Sequence, residues 1–282
     1  MSFIDATDAT GPVGPRYAAA VIVPAFNAGR TIANTLESIA RSIRRRRSLN
    51  DQPERFVISI VDDASADDTA VIVARFGHAC NDFDVVLTRH ALNTGRACAR
   101  NHAATAVAAD AFMFLDHDDE YLPEHVSVCL DALAAAPRTG FVKTRVMLSD
   151  PVHADWEPRI NAGLTQNLCV RSHVHHLLGG FHEEPEVEIY GCDDVLYNRL
   201  LRRFLRGVDV PAATVKFNRW PGNSFDRQYQ RKFSRPADQA EVTLTEIQKD
   251  VAARVADVAG RRMQLVAGRL KRLSAFARPA ES

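Results

Sequence analysis

The sequence predicts an α/β protein with a mostly parallel central sheet flanked by helices, followed by a C-terminal helical extension. Three observations carry that prediction. Short apolar runs alternate with stretches of helical periodicity through the first half of the chain, the pattern of βαβ units. Polar clusters follow three of those runs, P-A-F-N (24–27), D-D-A-S-A-D-D (62–68) and D-H-D-D (116–119), at the strand ends where open α/β sheets bind ligands. Near the C-terminus, Ile247, Val251, Val255, Val258, Val266, Leu270 and Leu273 recur at helical spacing, an apolar stripe along one helix.

Taken in order, Ala18–Val23 reads as a buried strand closed by Pro24, and Thr31–Arg45 as a helix with Ile32, Leu36, Ile39 and Ile43 on one face. Phe56–Val61 is a second strand, Asp67–Phe76 a helix and Phe83–Leu87 a third strand. Gly95–Ala109 is an Ala-rich helix leading into a fourth strand, Ala111–Leu115. Beyond Gly140 the pattern loosens: Phe141–Leu148 reads as a strand and Asp150–Leu164, with Trp156, as a loop. Helices are expected over Arg171–Leu178, before Gly179-Gly180, and over Asp194–Leu205, then a strand over Val208–Phe217.

The chain has 282 residues, 46% hydrophobic and 25% charged, with a formal net charge of zero. That is the profile of an ordinary globular protein, without the basic excess that nucleic-acid binding favours. Five scattered cysteines with no CxxC pair point to reduced thiols in a cytosolic setting. Residues 1–16 lack a basic, apolar leader pattern and read as a flexible tail. No apolar run approaches the ~18 residues of a membrane span.

The sharpest physical feature is F-L-D-H-D-D-E-Y-L-P (114–123), where Asp116, Asp118, Asp119 and Glu120 crowd the end of a strand. Neighbouring carboxylates raise one another's pKa, so a cation or a positive ligand is expected there; a solvated acidic loop is the alternative. An EF-hand is excluded because Tyr121 stands at the sixth position from Asp116, where that loop requires Gly.

Six motifs in order, V-I-V-P-A-F-N, I-V-D-D-A-S-A-D-D-T, N-T-G-R-A-C-A-R-N, F-L-D-H-D-D-E-Y-L-P, G-G-F-H-E and C-D-D-V-L-Y-N-R, resemble the family 2 glycosyltransferases of GT-A (Rossmann-like) fold. The resemblance covers about residues 17–225, taken as the GT-A domain, with 226–282 as the amphipathic extension. It implies metal-dependent, inverting transfer of a sugar from a nucleotide-diphosphate donor to an acceptor hydroxyl, in polysaccharide or glycoconjugate synthesis. Asp116-His117-Asp118 matches the family's DxD motif. By that match Asp118 is the principal ligand of Mn²⁺ or Mg²⁺, and Asp116 reaches the metal, its water or the ribose. Pro24, Phe26, Asn27, Asp63 and Arg100 join Asp116 at the nucleotide, with Phe26 and Asp63 at the base. Arg100 is preferred over Arg96, four residues away on the same helix face. Asp193, six residues before Arg199, matches the family's general base.

Two departures stand out. Cys192 replaces the acid that commonly precedes the base, and Trp220 stands where a metal-proximal His is common, leaving diphosphate contact to Arg219 or Lys216. Asp194, and Asp67-Asp68, read as helix caps. His173, His175 and His176 read as a solvated helix face, and Arg44–Arg47 as a solvated helix end, with an anionic acceptor or lipid as its alternative. The basic C-terminal helix (Arg261, Arg262, Arg269, Lys271, Arg272) is expected to pack on the domain, with a membrane surface or a dimer as alternatives. The partners implied are the donor and a saccharide or lipid-linked acceptor, in the cytoplasm or at the inner membrane face. Competing readings are a degenerate domain that binds nucleotide sugar or a partner without turnover, and a sugar nucleotidyltransferase, which would want a Gly-rich basic loop after the first strand.

Overall fold

The computed structural model describes residues 16–50, 53–148, 157–219 and 246–276; Trp156 and Trp220 lie outside them. Strands β1 (Tyr17–Ala25), β2 (Phe56–Asp62), β3 (Asp84–Arg89) and β4 (Ala109–Phe114) pair in parallel in the order β3-β2-β1-β4. Helices α1 (Ile32–Leu49), α2 (Thr69–Ala79) and α3 (Arg96–Thr105) are the crossovers. After β4 come β5 (Glu120–Tyr121), α4 (His125–Ala135), β6 (Phe141–Leu148), α5 (Glu157–Gly163), β7 (Leu168–Arg171), α6 (Ser172–Leu178) and α7 (Pro185–Tyr190). The chain continues through α8 (Asp193–Phe204), β8 (Gly207–Phe217) and α9 (Glu246–Phe276). All eight strands form one sheet, β3-β2-β1-β4-β7-β6-β8-β5, in which β7 runs antiparallel to both neighbours.

The first four strands follow from period-2 geometry with apolar residues on both faces. Ala19, Val21 and Val23 of β1 pack with Ile32, Leu36, Ile39 and Ile43 of α1, while Ala20 and Ile22 face Ala97, Ala103 and Ala104 of α3. Pro24 lies inside β1, opposite Val61, and the strand ends at Ala25. The stretch expected to be a loop contains α5, a seven-residue helix with Pro158 at its second position, where a helix tolerates proline. Strand β7 has only four residues after the polar Thr165-Gln166-Asn167, too few for alternation to announce it.

Helix α9 packs on the domain. Val255 and Val258 meet Val187 of α7 and Leu196 of α8, and Val266 enters the core beneath the sheet. Two of its basic residues turn inward: Arg262 donates to Gly179 O at 2.8 Å and Arg269 to Leu177 O at 2.9 Å, cations on the carbonyl end of α6. The arginine run is likewise engaged, Arg44 with Asp82 and Glu37, Arg46 with Glu54 and Asp131, and Arg47 with the carbonyl of Asp82. The histidine cluster divides. His173 and His176 are exposed, but His175 is a core residue with Nδ1 2.7 Å from the Tyr197 hydroxyl. Burial pushes its pKa down to about 3, so the solvated reading is corrected for that residue.

Candidate active site

The site forms where the ends of β1, β2 and β4 meet the first turns of α3 and α8. The loop after β1 is tied to the loop after β2 by short-range polar contacts. Asn27, in left-handed backbone (φ 49°), donates its N–H to Ser65 Oγ and accepts from Ala66 N–H; Gly29 N–H donates to Asp67 Oδ2. Asp67 also accepts from Thr69 N–H at the start of α2, while Asp68, at the cap position itself, makes no side-chain capping bond. Pro24 is buried within β1. Phe26 is 43% exposed, so its ring is not part of the core.

Asp63 is 3% exposed and organises the turn ahead of α3. It accepts from Thr94 N–H, Thr94 Oγ1 and Gly95 N–H and contacts His90 Nδ1, all between 2.7 and 2.9 Å. Burial opposes its ionisation, but these bonds outweigh it and hold the carboxyl below its ordinary value. Gly95 is favoured by its backbone, whose φ is +90°; the Glu188 carboxyl lies close to where a Cβ would stand but is the mobile end of an exposed side chain.

One turn further, Arg96 and Arg100 reach three carboxylates from two other elements. Arg100, wholly buried, places Nη2 2.5 Å from Asp116 Oδ1, and Nη1 2.9 Å from Asp193 Oδ2 and 2.5 Å from Asp194 Oδ1. Arg96 Nη2 lies 2.5 Å from Asp193 Oδ1. Burial disfavours both guanidinium charges, but the surrounding carboxylates more than compensate, so both stay protonated. Asp193 and Asp194 titrate as a pair. Burial and the neighbouring Asp194 charge push Asp193 up to about 6 against both arginines. Asp194 is held low, burial being outweighed by Arg100 and Arg96. The helix begins at Asp193 with Cys192 at its cap position, so Asp194 lies in the first turn and caps nothing.

The acidic loop is cradled from below by α1. Thr35 Oγ1 is 2.8 Å from His117 O and 2.9 Å from Asp119 O, Ser38 Oγ accepts from Tyr121 N–H, and Ser42 Oγ accepts from Val126 N–H. Asn218 closes the other side, its N–H donating to Asp119 Oδ1 and its amide to Asp118 O. Lys216, a candidate for the diphosphate, pairs with Glu120 at 2.7 Å.

Within that loop the carboxylates differ. Asp116 has both oxygens engaged, Oδ1 by Arg100 and Oδ2 by Gln166 Nε2 at 2.8 Å. Asp118 is pushed up by burial and by the Asp116 charge, against the opposing pull of His117. Asp119 is 1% exposed, with Oδ2 buried and without a hydrogen-bond partner; burial first, then the charges of Asp118 and Asp116, raise it well above the carboxylate range. Buried, raised carboxylates with an orphaned oxygen are the donors a hard divalent cation would satisfy. Among the described residues no three His, Cys, Asp or Glu side chains form a complete cage. The set suits a cation that shares its coordination with phosphate oxygens and water.

All six nucleotide-side candidates therefore lie at the ends of β1, β2 and β4 or on α3, and Arg100 connects one of them, Asp116, to Asp193. Gln166, Asn218 and Thr35 are not singled out by the sequence, and Arg96, ranked there behind Arg100, shares its carboxylates. Only the polar stripe Thr31, Thr35, Ser38, Ser42 left a signal, on the helix face that is otherwise apolar.

Residues 20–205 match the sequence pattern of Glycosyl transferase family 2. The chain belongs to that family. An uncharacterized glycosyltransferase of Haemophilus influenzae is 28% identical to it over 122 residues, 43% of this chain and 36% of that protein. This chain thus spans about a third of that relative's length. Among solved structures, residues 1–349 of S. aureus TarS in complex with UDP superpose with a TM-score of 0.58 at 19% identity, covering 72% of this chain and 61% of that fragment. Mannosyltransferase PcManGT from Pyrobaculum calidifontis, in complex with GDP-Man and Mn²⁺, superposes with a TM-score of 0.57 at 17% identity, over 98% of this chain and 79% of that one. These likenesses establish the GT-A fold.

Proposed function

We propose that this chain is a metal-dependent, inverting glycosyltransferase that moves a sugar from a nucleotide-diphosphate donor to an acceptor hydroxyl, in polysaccharide or glycoconjugate synthesis. The observation that carries the reading is Arg100. One buried guanidinium joins Asp116 of the strand-end loop to Asp193, a carboxylate with raised pKa on a different element. Family membership and the nucleotide-sugar complexes of the fold relatives support the donor class.

In this reading residues 17–225 form the catalytic domain and 226–282 an extension. Phe26, with Pro24 and Asn27 shaping its loop, faces the base together with Asp63, whose carboxylate sets the turn that aims α3. Asp116 and Arg100 lie along the ribose and diphosphate. Asp118, with Asp119 beside it and Asp116 if its bond to Gln166 opens, would hold Mn²⁺ or Mg²⁺, which supplies positive charge against the leaving diphosphate. Asp193 takes the proton of the acceptor hydroxyl as that oxygen bonds the anomeric carbon and the bond to the diphosphate oxygen breaks on the opposite face. A pKa near 6 leaves this base ionised at neutral pH and still able to accept a proton. The acceptor in this reading is a saccharide or a lipid-linked acceptor, met in the cytoplasm or at the inner face of the membrane. No helix among the described residues is long and apolar enough to cross one.

The test has two arms. UDP and GDP, each with and without Mn²⁺, raise the melting temperature where the donor site exists, and hydrolysis of UDP-N-acetylglucosamine or GDP-mannose reports turnover. Asp193→Asn lowers that turnover by roughly 10²–10⁴-fold with donor binding retained; near-wild-type turnover in this variant sinks the assignment. A second reading, a domain that binds nucleotide sugar without turnover, is favoured by one observation: Asp193 is 1% exposed and both its oxygens are held by guanidiniums. Mn²⁺-dependent binding without hydrolysis in the wild type would select it.

A further inference from the structure

The active centre is braced from behind by a buried lysine. Lys143 of β6 is 2% exposed, and its ammonium has three oxygen acceptors: Leu164 O at 2.6 Å, Asn198 Oδ1 at 2.8 Å and Ala162 O at 3.2 Å. Three donors thus meet three neutral acceptors, the full capacity of the group. The backbone is built to aim it there, because the pairing of β6 with β8 slips between Lys143 and Arg145 and again between Arg145 and Val146. Such irregularities redirect side chains and occur next to active sites. Burial, with the Arg202 charge adding to it, pushes the amine down to about 7 against Asp194 and Asp209. A group this expensive to bury needs a reason.

The two sides of the ammonium lead to the two ends of the site. On one side Leu164 opens the buried polar segment Thr165-Gln166-Asn167, each residue at most 2% exposed. Gln166 is the side chain that donates to Asp116 Oδ2 at 2.8 Å, and Asn167 ties the segment to Thr144 O and Asn161 O. On the other side Asn198 lies one turn along α8 from Asp194. Its amide donates to Asp194 O at 2.9 Å and to Gly163 O at 2.9 Å. Lys143 and Asn198 therefore clamp the end of α5 and the start of α8 to the same point.

We propose that Lys143 is a positioning residue of the active centre: through Leu164 it holds the segment that presents Gln166 to Asp116, and through Asn198 it holds the first turn of α8, which carries Asp193. The inference deepens the proposed function and rests on it for its kinetic consequence; the bracing itself does not.

The experiment compares the full chain with Lys143→Met, which keeps length and removes the donors, and with Lys143→Arg, which restores donors. Hydrogen exchange of the ligand-free proteins is read first. In Lys143→Met, peptides covering 162–168 and 193–198 exchange about tenfold faster or more, while those of β1 and β2 are unchanged. Hydrolysis of the donor the wild type accepts, UDP-N-acetylglucosamine or GDP-mannose with Mn²⁺, then shows kcat reduced about tenfold or more and KM within about twofold. Lys143→Arg recovers part of the kcat, which a merely stabilising role would not require. Unchanged kcat in a folded Lys143→Met protein, or faster exchange spread evenly over the sheet, overturns the proposal. If Lys143→Met does not fold, Asn198→Ala, which leaves the ammonium two of its acceptors, is read in the same way. If the wild type hydrolyses neither donor, the transferase reading fails on its own, and the exchange arm still decides whether the bracing is local.

Discussion

The two halves of the sheet reach the site by different routes. On the β3-β2-β1-β4 side each candidate residue sits at or just after a strand end, or on the helix that follows: Phe26 and Asn27 after β1, Asp63 after β2, Arg100 on α3, Asp116 after β4. On the β7-β6-β8 side the contributions come from polar groups whose partners are far away in the chain, the buried side chains of Lys143 to Asn198 and Gln166 to Asp116, and the backbone N–H of Asn218 to Asp119. A strand end is a property of local sequence, whereas a buried polar network exists only once distant segments have met. The first half is legible for that reason, and the second is held together by interactions that are costly to leave half-made.

Arg100 joins the halves, and removing it should have the largest effect. Arg100→Met leaves Asp116, Asp193 and Asp194 facing one remaining guanidinium, and breaking a buried pair in this way costs about 3–5 kcal/mol. Equilibrium unfolding in urea would show it, and a loss below about 1 kcal/mol would mean that the halves are held by packing alone.

Acid should separate the halves next. His125, bonded to Thr214 of β8, and His175, bonded to Tyr197 of α8, are both pushed down to about 3 by burial. The unfolded chain binds these protons near pH 6.5 and the folded chain near 3, so stability is full above 6.5 and falls as pH drops through that window. The loss is on the order of 1–2 kcal/mol per histidine by pH 5. Hydrogen exchange at pH 5 should therefore rise first in 168–217, and equal protection of both halves would contradict the comparison. The kinetics should follow the same axis: turnover falls below about pH 6 as Asp193 takes up a proton, and an unchanged rate at pH 5 would remove Asp193 as the base.

On the legible side the expected effects are smaller and local. Asp63→Asn keeps one oxygen for the Thr94 and Gly95 N–H groups and loses the charge, at a cost of about 1–2 kcal/mol. Faster exchange should stay within 90–96, and nucleotide affinity should fall with it. Smallest of all, Arg44→Ala removes ion pairs to Asp82 and Glu37 in which every partner is about half exposed. A change within about 0.5 kcal/mol is expected, and a larger one would give the arginine run a role its local pairs do not explain.

Much of the site could be read from the chain because the motifs are contiguous. The acidic loop, the Asp63 cluster, the arginine pair and Asp193 all announce themselves within a few residues. What escaped did so for identifiable reasons. Gln166 belongs to a polar triplet with no periodicity, between a seven-residue helix and a four-residue strand. His175 was read with its exposed neighbours because a helix of seven residues presents both faces within one short stretch. The packing of α9 on the domain is the expected one, but that Arg262 and Arg269 would seat on the carbonyls of α6 is written nowhere in its periodicity.

By itself the sequence determined the parallel half of the sheet, the strand-end placement of the acidic residues and of the candidates for the nucleotide, and the family whose motifs they follow, because hydrophobic period and turn chemistry are local properties. Only the tertiary structure decided that one guanidinium would serve Asp116, Asp193 and Asp194 together. It also decided that Asp119 would be left with an unpartnered buried oxygen, and that Lys143 would brace both ends of the site. Each depends on the electrostatics of groups brought together out of water, where the cost of an unpaired charge, and not the order of residues along the chain, selects the partner.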